Sequence, residues 1–551
     1  MHVSTARHLA FRLRSFPVAS AFSWLICGAA GVLFLVALWL FFRNGFASNL
    51  NSDAAVPVLL AAESSLKLSP LPDTWYYVND DLWILSPQLF AFPFVILLGA
   101  SSTALMLGNL LGLLCIVGAM SLLAHRLSGS WSIAVTLALG ATAMFSSLQR
   151  DVVYVQIAYG WISAKVALLA YLVLRMSTCD SVRSGNGVRW EVVAYVMLLA
   201  LLAAENPSRA LAFWCVPMAV VCFMHEPEVL SRRRAVVLLI VSAIAAGSGA
   251  FLHVLLKMHL LDVIGLNAFV VRPMSEWAGN LDVLWRGLPY LIGYELVGPV
   301  SPGMPEAAVA LIRTGFFTAT AIGMAMAWRR SPDMRPEQIL FQRIACVLLA
   351  VTLVLFAIGN LAIAAPSVRY LVPAGLLSLI AFMTRVQQGL RTDLLRSMAV
   401  MAAFVLAFCG GGALAAIHSA TPVSTAGCFG PTRSCRLIAK LQQEHLSRGF
   451  ASYWNANVTT LSSGGSVRVC GAALLPPLRP ARWLVSRDCF DPARYAESYF
   501  YAFTKAEAQS LDRARFEAEA GAPSDVLKTD DYEIWVYRPS VDQHRLDWLS
   551  R

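Results

Sequence analysis

Charge is scarce in this sequence. Asp, Glu, Lys and Arg make up 14% of the 551 residues, against 58% hydrophobic residues and a mean hydropathy of +0.62. A soluble chain of that length carries far more charge, so a wholly soluble protein is excluded. The local signatures of several common chemistries are also missing. There is no Walker phosphate loop, Rossmann glycine fingerprint, zinc-protease helix or Ser-His-Asp signature. Acidic residues number 33 against 43 basic ones, and the resulting charge of +10 invites a nucleic-acid reading. The basic residues lie between apolar runs, however, where they act as topology signals, so no nucleic-acid partner is expected. Solenoid repeats and low-complexity tracts are absent too.

What is present is a series of apolar runs of roughly 18–25 residues, the length of a membrane-spanning helix. The first, from about Ala21 to Phe42, lacks a small-residue cleavage site and reads as an uncleaved anchor. Arg7, Arg12 and Arg14 precede it and place the N-terminus in the cytoplasm. Further arginines recur in every second loop: Arg126, Arg175 with Arg183 and Arg189, Arg232–Arg234, Arg329–Arg330, and Arg385 with Arg391 and Arg396. This alternation predicts about eleven spans. The third is expected as one run from Ser132 to Leu148. The predicted fold class is therefore an all-α polytopic membrane protein over residues 1–417, with a small extracytoplasmic α/β domain over 418–551.

Two intervals facing the outer side, 44–102 and 257–307, are far longer than connectors need to be. The first holds an amphipathic segment from Asp53 to about Leu66, an aromatic turn at Trp75–Tyr77, and the acidic pair Asp80 and Asp81. Its apolar end, Gln88 to Gly99, is too short to span and is expected along the interface. Asp53 follows Asn51-Ser52 and can be read as a helix N-cap. It can equally be read as a base at the membrane boundary, where partial desolvation raises the affinity of a carboxylate for protons. Asp151, beside Arg150 on the next outer turn, faces the same compartment. Two carboxylates from separate loops can bind a divalent cation, or divide base and orienting roles. Arg209 and Arg369 stand on the side that the positive-inside bias depletes; together they can hold a phosphate. Asp80 and Asp81 read as a solvated turn in preference to a metal site. His253 and His259 lack metal-ligand spacing and read as structural.

From His418 onward the composition becomes that of a soluble domain. Helical spacing runs over Cys435–Arg448 and over Ala506–Ala520. Strand-like runs occupy Phe450–Trp454, Val467–Ala473, Ser498–Phe503 and Tyr532–Tyr537. Seven of the eleven cysteines lie in or near apolar spans or on the inner side, and the other four are Cys428, Cys435, Cys470 and Cys489. An even number in an oxidising compartment suggests two disulfides. Sequential pairing, Cys428–Cys435 and Cys470–Cys489, is the simplest of three possibilities.

Several of these features together resemble the GT-C glycosyltransferases, which use polyprenyl-phosphate sugars and include the protein O-mannosyltransferases and the aminoarabinose transferases of lipid A. The features are Asn51-Ser52-Asp53 after the first span, the interfacial Gln88–Gly99 segment, Asp151 after the third span, and Arg369-Tyr370-Leu371-Val372-Pro373 opening a late span. The resemblance implies that Asp53 is the first-loop catalytic aspartate and Asp151 a second-loop contributor. It implies that Arg209 stands where some members keep a basic residue that meets the donor phosphate; Arg369, Tyr370, Asp80 and Asp81 are taken as further candidate substrate-binding residues. The chain has Asp53-Ala54 where many members have Asp-Glu, a departure that weakens a metal-binding role there. The implied protein is a bacterial inner-membrane enzyme, its terminal domain periplasmic, that transfers a sugar from a polyprenyl-phosphate donor to an envelope glycan, glycolipid or protein. A flippase for lipid-linked glycans and a non-catalytic envelope-assembly protein are the competing classes. A flippase wants polar or broken helices at the midplane, whereas an assembly protein tolerates the loss of Asp53.

Overall fold

Within a bilayer the backbone has no water to bond, so each apolar run must satisfy its N–H and C=O groups internally and becomes a helix. The computed structural model describes residues 3–178, 190–224, 226, 228–260, 263–264, 269–294, 304–326, 334–418, 432–538 and 546–550. Among these, eight helices are long and apolar enough to cross a membrane: Ser20–Gly45, Ser102–Ser128, Ala158–Ser177, Arg232–His259, Pro305–Ala325, Pro336–Ile358, Ala365–Gly389 and Leu394–Ile417. The count is nine if the bent pair Trp131–Thr142 and Ser147–Val155 is taken as one span. The shorter helices Trp190–Glu205 and Pro207–Phe223 occupy the places of the expected fifth and sixth spans. Arg183, Arg189, Arg329 and Arg330 lie outside the described residues.

The expected continuous third span is broken. Helix Trp131–Thr142 stops, and the limb Ser147–Val155 leaves it at 101°. Side chains satisfy the backbone groups at the break: Gln149 Nε2 donates to Ala141 O at 3.0 Å, and the Tyr154 hydroxyl donates to Thr142 O. The Ser146 hydroxyl accepts from the Gln149 N–H at 2.8 Å, capping the new limb. Asp151 thus sits on a helical limb and not on an open turn.

The long first loop forms two helices, Ser52–Lys67 and Gln88–Leu98. The second lies against the span Ser102–Ser128 at Gly108, where a Cβ would come within 2.8 Å of the Ala91 Cα. Its Leu89, Ile96, Leu97 and Leu98 are exposed, as an interfacial helix requires. Tyr77–Val78 pairs in parallel with Val263–Ile264, joining the two long loops. In the second loop, helix Met274–Ile292 packs on the turn Ala365–Leu371 that carries Arg369. Gly287 permits this approach, since a Cβ there would meet Val368 Cγ1 at 2.1 Å. Asn280 Nδ2 locks the same helix to Ala357 O and Gly359 O at 2.9 and 2.8 Å.

The C-terminal domain is built on a mixed six-stranded sheet. In chain order the strands are β1 (Arg448–Ala451), β2 (Arg468–Ala473), β3 (Arg479–Pro480), β4 (Tyr499–Thr504), β5 (Asp525–Lys528) and β6 (Tyr532–Tyr537). Their spatial order is β3-β2-β1-β4-β6-β5, with β1 parallel to both β2 and β4 and the remaining pairs antiparallel. One face buries Phe450, Tyr501, Trp535, Tyr537 and Trp548, whose large apolar area dominates that core. Cys470 and Cys489 form a disulfide, as expected; Cys428, the expected partner of Cys435, lies outside the described residues. One strand reading fails: Phe450–Trp454 is not a single strand. The chain turns at Ser452, and a helix runs from Tyr453 to Ser462. That helix packs on Ser52–Lys67 and brings the sheet domain against the first loop.

Candidate active site

The N-cap of helix Ser52–Lys67 is Asn51 and not Asp53. Its side-chain oxygen accepts from the Ala54 N–H at 2.9 Å. The Nδ2 of the same side chain donates to Asp151 Oδ1 at 3.2 Å, so one amide both starts the helix and binds the second acid. Gln156 Nε2 lies 3.0 Å from each Asp151 oxygen and fixes the plane of that carboxylate from the other side. Asp53, released from capping, receives a hydrogen bond from the Tyr453 hydroxyl at its Oδ1. Its Oδ2 has no partner among the described residues.

The two acids lie close enough to repel each other, and the Arg369 guanidinium acts on both. Burial pushes the Asp53 carboxyl above its ordinary range, outweighing the opposing pull of the Tyr453 hydroxyl and of Arg369. A carboxylate with raised proton affinity, one open oxygen and a neighbouring cation is equipped to take a proton from a hydroxyl.

The arginines differ in what they already hold. Arg209 is paired with Asp81 at 2.7 Å, and Asn206 Nδ2 donates to the other Asp81 oxygen at 2.7 Å. Arg369 forms no salt bridge among the described residues, and its buried Nε lacks a hydrogen-bond partner. Tyr159 and Tyr370 meet edge to face at 5.6 Å and lie within electrostatic reach of both guanidinium groups. The cation next to the acids that forms no salt bridge among the described residues is therefore Arg369, whose guanidinium lies 5.6 Å from the centre of the Tyr370 ring. The turn is solvated on one side only: Asp80 is partly exposed and pairs with Lys257, whereas Asp81 is buried. Behind Asp81, Lys165 and Glu205 form a fully buried pair at 2.7 Å, and Ser86 donates to Glu205 Oε1 at 2.6 Å. His253 is structural, with its Nδ1 at 2.9 Å from Ala204 O.

The structure thus brings together Asp53, Asp151, Arg369 and Tyr370, with Arg209 and Asp81 reached through Tyr159. Sequence reasoning missed Asn51, Gln156, Tyr159, Lys165, Glu205 and Tyr453. Lys165 carried a usable signal, since an ionisable residue within an apolar span implies a partner. Tyr453 lies 400 residues from Asp53 and carried none. Among the described residues no three His, Cys, Asp or Glu side chains converge to hold a metal ion.

No protein-family model matches the sequence, and no curated protein matches it. The structure is similar to that of ArnT, an aminoarabinose transferase, from Cupriavidus metallidurans bound to undecaprenyl phosphate. That likeness has a TM-score of 0.55 at 13% identity and covers 93% of this chain and 97% of that one. Weaker likenesses are to the same protein in the apo state (TM-score 0.45, 13% identity, 96% and 99% covered) and to the Archaeoglobus fulgidus oligosaccharyltransferase (0.47, 10%, 89% and 71%). The first of these likenesses spans the helices and the sheet domain together. This chain is a multi-pass membrane protein with the fold of the GT-C glycosyltransferases.

Proposed function

We propose that the protein is a membrane glycosyltransferase that moves a sugar from a polyprenyl-phosphate donor to a hydroxyl on an envelope glycan, glycolipid or protein. One observation carries this reading: an acid with an open oxygen, a second acid and an arginine that forms no salt bridge among the described residues meet where the long first loop joins the helices. In the reaction the acceptor oxygen forms a bond to the anomeric carbon while the bond from that carbon to the phosphate oxygen breaks. Asp53 takes the acceptor's proton through Oδ2. Arg369 stabilises the departing phosphate, for which its planar guanidinium suits two contacts at once. Asp151, held by Asn51 and Gln156, shares with Asp53 the field of the Arg369 guanidinium. Arg209 is already neutralised by Asp81 and supports the pocket through Tyr159 and Tyr370.

The site belongs, in this reading, to the outer face of a bacterial inner membrane. Two features support that sidedness: the arginine-rich loops alternate with the long loops, and the Cys470–Cys489 disulfide is of a kind that persists in oxidising compartments. The undecaprenyl phosphate held by ArnT supports a lipid of the same chemical class here. The testing experiment is titration of purified protein with undecaprenyl phosphate, followed by native mass spectrometry. Binding lost in Arg369→Gln supports the assignment, and wild-type binding by that variant contradicts it.

A further inference from the structure

We infer that Tyr453, carried by the sheet domain, is a positioning residue for the Asp53 carboxylate, which makes that domain a working part of the catalytic centre. The inference rests on the reading of Asp53 as the base and extends it to a second domain.

Tyr453 is the first residue of the helix that follows β1, so the sheet sets its place. Two side-chain bonds join this residue to the first loop. The Tyr453 hydroxyl donates to Asp53 Oδ1, and the Ser52 hydroxyl donates to the Tyr453 carbonyl. Successive residues of one helix end thus grip a single tyrosine at its ring tip and at its backbone. Trp454 and Trp483 contact the phenol ring edge-on, with centroids at 5.2 and 6.1 Å, and hold it in line. Burial and the adjacent carboxylate push the phenol well above its ordinary range, so it stays protonated and serves only as donor toward Asp53.

The geometry has a chemical consequence. A carboxylate that accepts a hydrogen bond at Oδ1 cannot rotate freely, and Oδ2 is then presented in one direction. The titratable and charged groups facing Asp53 are Tyr453 from the sheet domain, Arg369 from the turn and Asp151 from the bent limb. Of these only Tyr453 is bonded to it, and only Tyr453 comes from outside the helical region.

The test uses full-length protein with Tyr453→Phe, which keeps the ring between Trp454 and Trp483 and removes one oxygen. A water-soluble carbodiimide labels protonated carboxyls, so labelling of the Asp53 peptide against pH, read by mass spectrometry, reports the proton affinity of Asp53 directly. Loss of a hydrogen bond to the charged form should move the labelling midpoint upward by about one pH unit. The acid limb of sugar transfer should move with it, while undecaprenyl phosphate binding stays at the wild-type level and shows that the variant is folded. An unchanged midpoint overturns the positioning role. A shifted midpoint combined with wild-type transfer by Asp53→Asn overturns instead the reading of Asp53 as base, so the two failures are distinguishable.

Discussion

Replacing Arg369 with glutamine removes a site cation that has no ion-pair partner among the described residues. Without donor the change breaks no salt bridge among the described residues, but it removes the cation over the Tyr370 ring and the positive field on Asp53 and Asp151. The two acids can offset that loss by taking up protons, so thermal stability should fall less than in Arg209→Gln. Donor binding should suffer, since a charge-assisted hydrogen bond to phosphate contributes about 1.5–3 kcal/mol. That corresponds to a rise in Kd of about 10- to 150-fold. Arg369→Lys keeps the charge but loses the two-point contact and should fall between the two. Arg209→Gln provides the contrast. It leaves Asp81 buried with only Asn206, so it should cost stability toward the lower end of about 3–5 kcal/mol. Titration with undecaprenyl phosphate and thermal unfolding of the same samples separate the two arginines. The reasoning is refuted if Arg369→Gln binds like wild type while Arg209→Gln loses binding without loss of stability.

Other consequences are equally specific. Lys165→Met strands the Glu205 carboxylate and should destabilise by about 3–5 kcal/mol, with much of the loss restored by adding Glu205→Gln; thermal unfolding in detergent measures both. Gly287→Val drives a side chain into Val368 and Ala365 and should cost about 1–3 kcal/mol, shifting the Arg369 turn enough to weaken undecaprenyl phosphate binding. Asp53 holds its proton more tightly when folded than when unfolded, so the wild type loses stability as pH rises through the raised value. Asp53→Asn, always neutral, should therefore unfold at a higher temperature than wild type at pH 7, and its advantage should vanish as pH falls toward 4. Cys470 and Cys489 should resist alkylation in denatured, unreduced protein and react after reduction.

The helical framework was legible because apolar run length and arginine alternation are direct consequences of bilayer thickness and membrane topology. Asp53, Asp151 and Arg369 were legible as candidates because polar residues at the ends of apolar runs are conspicuous. Their partners were not. Asn51 outcompetes Asp53 for the cap because its oxygen reaches the Ala54 N–H while its nitrogen binds Asp151, a gain that local propensity cannot show. The break after Thr142 has no proline, and it persists because Gln149 and Tyr154 supply donors from the following limb. Tyr453 sat in an aromatic run that looks like a strand, and its role depends on a contact between domains. The acidic pair Asp80–Asp81 looked solvated because Lys257 and Arg209, their counter-ions, are distant in sequence.

Whether Asp53 accepts a proton during sugar transfer is decided in proteoliposomes supplied with undecaprenyl-phosphate-linked sugars and envelope acceptors, by following the release of undecaprenyl phosphate. Asp53→Asn keeps the shape of the side chain and an oxygen for Tyr453 but cannot take the proton. At equal protein and wild-type lipid binding, it should release undecaprenyl phosphate about 10²–10⁴-fold more slowly. Release by Asp53→Asn at the wild-type rate would contradict the account.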